Sequence, residues 1–195
     1  GADIRYLVTT YSGNDGRTRG HGFPLELVQA QAQALGAELV AVETEWEDYE
    51  TRFKDAIREL RARGVEKGIY GDIDMVEHRE WVERVTAEAG LTAWLPLWGE
   101  NQGMLLREWE QAGFTALIVA MRYDLGLGWL GRPLDHRCLG EIESALAERG
   151  LSPSGESGEY HTLVVDGPAF GRPLQIKEAV PVLRDRHWVL DIRQW

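Results

Sequence analysis

Short apolar runs alternate with amphipathic stretches along the first 121 residues, and this rhythm limits what the chain can fold into. Ile4–Tyr11, Glu38–Val42, Lys67–Tyr70, Ala93–Leu97 and Phe114–Met121 read as strands. Pro24–Gly36, Glu47–Arg63, Met75–Ala89 and Gln102–Gln111 read as the helices between them. Leu25, Val28, Ala32 and Leu35 recur at helical spacing, and Tyr49, Phe53, Ile57 and Leu60 share one helical face. Strand–helix–strand units of this kind are right-handed crossovers, so the pattern predicts a Rossmann-like parallel sheet with helices on both faces. The rhythm then breaks. Asp135–Arg149 reads as one more helix, and the remainder is β-rich. Leu174–Leu183 and His187–Trp195 flank Arg184-Asp185-Arg186 as a hairpin. The expected organisation is an α/β half over residues 1–99 and a smaller α+β half over 100–195.

Composition narrows the function classes. The 195 residues carry a formal net charge of -11, which disfavours nucleic acid because a phosphate backbone wants a basic face. A single nucleotide stays open, since one phosphate needs only local donors. No apolar run is long enough to span a bilayer, and no membrane partner is expected. The lone Cys138 allows no internal disulfide and no cysteine metal cluster, so no metal site is read from spacing and a reducing cytoplasm is the expected location.

The chemistry concentrates in Gly155-Glu156-Ser157-Gly158-Glu159-Tyr160-His161-Thr162, which holds two carboxylates, a phenol, an imidazole and a hydroxyl in eight residues. Its glycines permit a tight polar loop. The β-rich run from Thr162 to Val165 anchors it, and Asp166-Gly167-Pro168 closes it as a turn. A second group of candidates follows from position. Asp72, in Gly71-Asp72-Ile73, comes directly after an apolar strand, and strand C-terminal ends are where open α/β sheets take ligands. Trp98 sits at another strand end, as a pocket wall or as junction packing.

The glutamate loop resembles the Glu-Gly-Gly-Glu-Tyr/Phe-type signature of the diphthine–ammonia ligase family, a branch of the PP-loop ATP pyrophosphatases. Other landmarks match in order: Gly71-Asp72-Ile73, His78-Arg79-Glu80-Trp81, Gly90-Leu91, Pro96-Leu97-Trp98-Gly99, Gly113-Phe114 and Leu130-Gly131-Arg132. The resemblance implies a HUP-type sheet and ATP with Mg²⁺ as cofactors. It implies an ATP-dependent amide-forming ligase, in which an acyl-adenylate is attacked by ammonia. The acyl partner would be diphthine on a translation factor, or a small-molecule acid in a divergent relative. Oligomeric state is left open, a homodimer among the options.

One departure stands out. The family carries a strand followed by Ser-Gly-Gly-Lys-Asp-Ser, and residues 1–195 contain no such motif. Ser12-Gly13-Asn14-Asp15-Gly16 is an echo without the lysine. The expectation is a segment preceding Gly1 that carries the motif, with a gap or foreign strand beside Tyr6-Leu7-Val8. The alternative is a nucleotide- or metabolite-binding protein without catalysis.

By role, the expected catalytic residues are Glu156 and Glu159. Paired carboxylates can hold a cationic group, take a proton from ammonium or help place magnesium. Gly158, Tyr160, His161 and Thr162 are expected at the substrate. His21, Gly22, Gly71, Asp72 and Trp98 are expected at the nucleotide.

Overall fold

The computed structural model describes residues 3–195. The strands and helices are β1 (Tyr6–Tyr11), α1 (Leu25–Ala34), β2 (Glu38–Glu43), α2 (Tyr49–Ala62), β3 (Lys67–Ile69), α3 (Val76–Glu88), β4 (Thr92–Trp94), α4 (Gln102–Gln111), β5 (Thr115–Arg122), α5 (His136–Ala147), β6 (Tyr160–Asp166), β7 (Glu178–Arg184) and β8 (His187–Gln194). Two compact units result. Of the described residues, one comprises 3–7, 20–39 and 102–195; the other comprises 8–19 and 40–101.

The fold is mixed α/β, as the alternation predicts, but the parallel strands form two separate pairs. In the β1–β2 pair, Glu38 N–H donates to the Arg5 carbonyl and Thr44 N–H to the Tyr11 carbonyl, both at 2.9 Å. In the β3–β4 pair, the register runs in parallel from Lys67↔Thr92 to Ile69↔Trp94. Among the described residues no hydrogen-bonded ladder joins the pairs into one sheet.

The Phe114–Met121 run also differs from its expected place as a fifth parallel strand. β5 lies inside an antiparallel sheet ordered β6-β5-β8-β7. The reason is double burial. Ala116, Ile118 and Met121 pack with Leu134 and with Cys138, Leu139, Ile142 and Leu146 of α5. Val119 packs with Phe23, Leu27 and Val28 around α1, together with Leu163, Val165 and Ile192. A strand covered on both faces reads as a continuous apolar run whether its neighbours are parallel or antiparallel.

The other unit has a small core of Ile57, Ala89 and Leu91, flanked by Phe53 and Val65. Tyr49, Phe53 and Trp81 stack between α2 and α3 at centroid distances of 5.4–6.4 Å. Glu50 takes bonds from Arg84, Lys54 and the Trp81 indole, and these donors hold its carboxyl far below the usual range. The charges that the sequence places on α2 are therefore partly an inter-helix network.

The β7–β8 hairpin turns on Asp185 and Arg186, both at positive φ (43° and 66°), the backbone of a tight two-residue turn between twisted strands. Asp135 caps α5, its carboxylate accepting from Cys138 N–H at 2.8 Å.

Candidate functional site

The glutamate loop is built by its own side chains. Glu159 is 1% exposed, and each carboxylate oxygen accepts a backbone N–H: Oε1 from Ser152 at 3.2 Å and Oε2 from Ser157 at 3.0 Å. Gly158 N–H closes a turn onto the Gly155 carbonyl at 2.9 Å. The Ser152 hydroxyl donates to Gln102 Oε1 at 2.8 Å and accepts from Glu156 N–H at 3.3 Å. Tyr160 is buried, and its phenol donates to the Pro153 carbonyl at 2.8 Å. Burial raises that phenol's pKa, so it stays a neutral donor.

Gly155 is required where it stands. Its φ is +80°, and a Cβ there would come within 2.7 Å of the Tyr160 carbonyl oxygen. The two carboxylates that look alike in sequence thus differ in setting. Glu159 points inward and holds the loop together. Glu156 is half-buried.

Beside the loop the structure brings three imidazoles together from three segments. His21, ahead of α1, lies 4.9 Å from His161 on β6, and His161 lies 6.4 Å from His187 on β8. His21 also stacks on Phe23 at 5.5 Å. Burial, then the neighbouring imidazoles, push His161 down to about 4, so it is neutral at pH 7. His21 keeps an exposed edge, yet crowding on its other side lowers its pKa too. Gly22 adjoins this row, and Thr162 lies on β6 opposite Ile118.

His187 is the member that sequence reasoning missed. Its Nε2 sits 2.9 Å from the Gly158 carbonyl, tying the β7–β8 hairpin to the loop. Nothing in its local spacing signals this, because the contact crosses 29 positions.

The remaining candidates gather elsewhere in the chain. Gly71 and Asp72 follow β3, and Asp72 Oδ1 lies 3.3 Å from His78 Nδ1. Trp98 is half-buried with the Arg79 guanidinium 5.0 Å from its ring centroid. Gly99 N–H bonds the Ile73 carbonyl at 2.8 Å, which draws the segments after β3 and β4 together. Among the described residues no group of three or more His, Cys, Asp or Glu side chains is arranged to hold a metal ion. No helix among them is long and apolar enough to cross a membrane.

Comparison with known proteins adds family evidence to this geometry. The sequence profile of the diphthamide synthase N-terminal domain matches residues 1–93, and that of the diphthamide synthase C-terminal domain matches residues 101–194. The chain is 30% identical over 118 residues to the diphthine–ammonia ligase of Schizosaccharomyces pombe, covering 55% of this chain and 18% of that protein. It is 33% identical over 108 residues to that of Rattus norvegicus, covering 52% of this chain and 39% of the relative. It is 34% identical over 100 residues to that of Bos taurus, covering 48% and 35%. The aligned segments thus span less than half the length of each of these curated relatives. Two consecutive domain matches running nearly end to end, with a folded glutamate loop inside the second, establish that the chain belongs to the diphthamide synthase family.

Proposed function

We propose that this chain serves ATP-dependent amide formation of the diphthine–ammonia ligase type. The observation that carries the reading is the pair of consecutive diphthamide synthase domain matches. In this reading a carboxylate is activated as an acyl-adenylate, pyrophosphate leaves, and ammonia attacks the acyl carbon. The acyl substrate is diphthine on a translation factor, or a smaller acid.

Each loop residue then has a distinct task. Glu159 holds the loop, because both its oxygens are committed to backbone N–H groups. Glu156, half-buried in the same loop, meets an ammonium ion or a cationic substrate group in this reading. His161, neutral at pH 7, offers a nitrogen lone pair to an incoming N–H. Gly158 contributes its turn, and Tyr160 fixes the loop's base. Thr162 presents a hydroxyl at the head of β6.

ATP supplies the activating group when bound. Gly71, Asp72 and Trp98 are the residues assigned in this reading to its base and ribose. Residues 1–195 hold no lysine-bearing glycine loop for the phosphates, so none of the residues named has a role at the triphosphate or Mg²⁺. A second reading is a nucleotide- or metabolite-binding protein without turnover.

One experiment separates the two. The protein is incubated with ATP, Mg²⁺, ammonium and a diphthine-bearing translation factor, and AMP and pyrophosphate are measured. Ammonium-dependent release of both, with amide formed on the factor, supports the ligase. ATP that binds but is never consumed supports the binding protein and rejects the ligase.

A further inference from the structure

The glutamate loop holds its own shape. Glu159 gathers the N–H groups of Ser152 and Ser157, Gly158 N–H closes on the Gly155 carbonyl, and the Tyr160 phenol closes on the Pro153 carbonyl. Each of these bonds joins two residues of the segment 152–160, so they fix the loop's form rather than its placement. Placement needs bonds to other elements. At the loop's base, Arg122 N–H on β5 donates to the Glu159 carbonyl at 2.9 Å, and the Ser152 hydroxyl donates to Gln102 at the start of α4. Two residues after Glu156, the Gly158 carbonyl meets the His187 ring.

His187 is itself firmly held. It opens β8 and stands opposite Arg122 in the antiparallel register. The turn before it is pinned to the end of β5: Tyr123 N–H donates to the Arg186 carbonyl at 2.9 Å, and the Arg186 guanidinium lies 5.6 Å from the Tyr123 ring centroid. The end of β5 thus holds the loop through Arg122 and the hairpin through Tyr123, and the His187–Gly158 contact closes the third side. A functional group keeps its place when the residues behind it are locked in this way.

The ring's proton follows from its surroundings. Nε2 lies 2.9 Å from the Gly158 carbonyl oxygen and Nδ1 lies 3.2 Å from that of Asp185. A carbonyl oxygen only accepts, so a ring nitrogen that bonds one must carry a proton. The shorter contact has the usual length of an N–H···O bond and the longer one lies at its outer limit, which puts a proton on Nε2.

We propose that His187 is a positioning residue for the glutamate loop: its Nε2–H, donated to the Gly158 carbonyl, sets where Glu156 stands toward ammonia or a cationic substrate group. The consequence for turnover rests on the ligase reading, and the bond itself does not.

The test compares the wild type with His187→Phe, which keeps a ring and removes the donor, and His187→Gln, which keeps an N–H. The first readout is NMR at neutral pH, following the His187 ring nitrogens, the Gly158 carbonyl carbon and the Glu156 amide. The expected results are a proton on Nε2, a shift of the Gly158 and Glu156 resonances in His187→Phe, and their return in His187→Gln. The second readout is ammonium-dependent amide formation per folded molecule. In His187→Phe, kcat/KM for ammonium falls about tenfold, the scale of one lost hydrogen bond, while KM for ATP stays constant; His187→Gln recovers most of the loss. An Nε2 without a proton, or Gly158 and Glu156 resonances unmoved in His187→Phe, overturns the proposal whatever the activity. The ring spectrum needs no variant, so it decides even if His187→Phe fails to fold. An active wild type matched in rate by folded His187→Phe also overturns it, because His187 then only stabilises the fold. If the wild type forms no amide, the ligase reading fails, and the NMR result alone upholds or overturns the bond.

Discussion

The Glu159 carboxylate accepts the backbone N–H of Ser152 at 3.2 Å from seven residues away, and with its other oxygen it gathers Ser157 into the same turn. A residue that looks like half of a reactive pair is therefore also the loop's internal clamp. Glu159→Gln keeps the shape but turns an NH₂ toward one of the two N–H donors. The expected outcome is a loss of about 1–3 kcal/mol, the range for a buried donor left without its acceptor. Urea denaturation of the two proteins measures it.

The two loop glycines separate backbone strain from crowding. Gly155 and Gly158 both sit near φ +80°, but only at Gly155 would a Cβ meet another atom closely, 2.7 Å from the Tyr160 carbonyl. Gly158→Ala should cost about 1 kcal/mol for the left-handed backbone. Gly155→Ala should cost at least about twice that, because the contact adds to the strain. Denaturation midpoints compared at equal m-values test the order.

The imidazole row predicts a pH dependence. His161 is lowered to about 4 from 6.5 in the folded chain, chiefly by burial. Between those values the unfolded chain binds a proton that the folded chain refuses. Stability is therefore full above pH 6.5 and is lost as pH falls toward 4, by up to about 3 kcal/mol from this one group. His21, shifted in the same direction, adds to the slope. Denaturation at pH 7.5, 5.5 and 4.5 should show the decline, and His161→Gln should flatten it.

Much of this was legible in the residues, and the exceptions have physical causes. Helical spacing around Leu25, Val28 and Ala32 locates α1, but not that it packs on Val119 and Leu163 of an antiparallel sheet. Phe114–Met121 shows its burial and hides its partners, because a doubly covered strand has no alternation to reveal the sheet type. The composition of Gly155–Thr162 marks it as a polar loop. Which carboxylate turns inward depends on Ser152 and Ser157 N–H groups, which no side-chain pattern encodes. The His187 contact is fixed by long-range packing, so local spacing carries no trace of it.

The sheet at the centre of the larger unit offers a stability check. Ile118 is fully buried among Ala116, Met121, Leu139 and Ile142. Ile118→Ala should destabilise the protein by about 2–5 kcal/mol, as for other buried large-to-small changes. A cost under about 1 kcal/mol would mean that β5 is not the packed centre described here.

The central claim is that the glutamate loop presents Glu156 to the reacting ammonia or substrate while Glu159 holds it in place. The most direct measurement is the rate of ¹⁵N-ammonium incorporation into the diphthine-bearing factor by wild type and Glu156→Gln, beside their urea midpoints. The account predicts a fall of about a hundredfold or more in rate, the scale of lost acid–base help, with the midpoint unchanged. An unchanged rate, or a midpoint that drops in step with the rate, would contradict it.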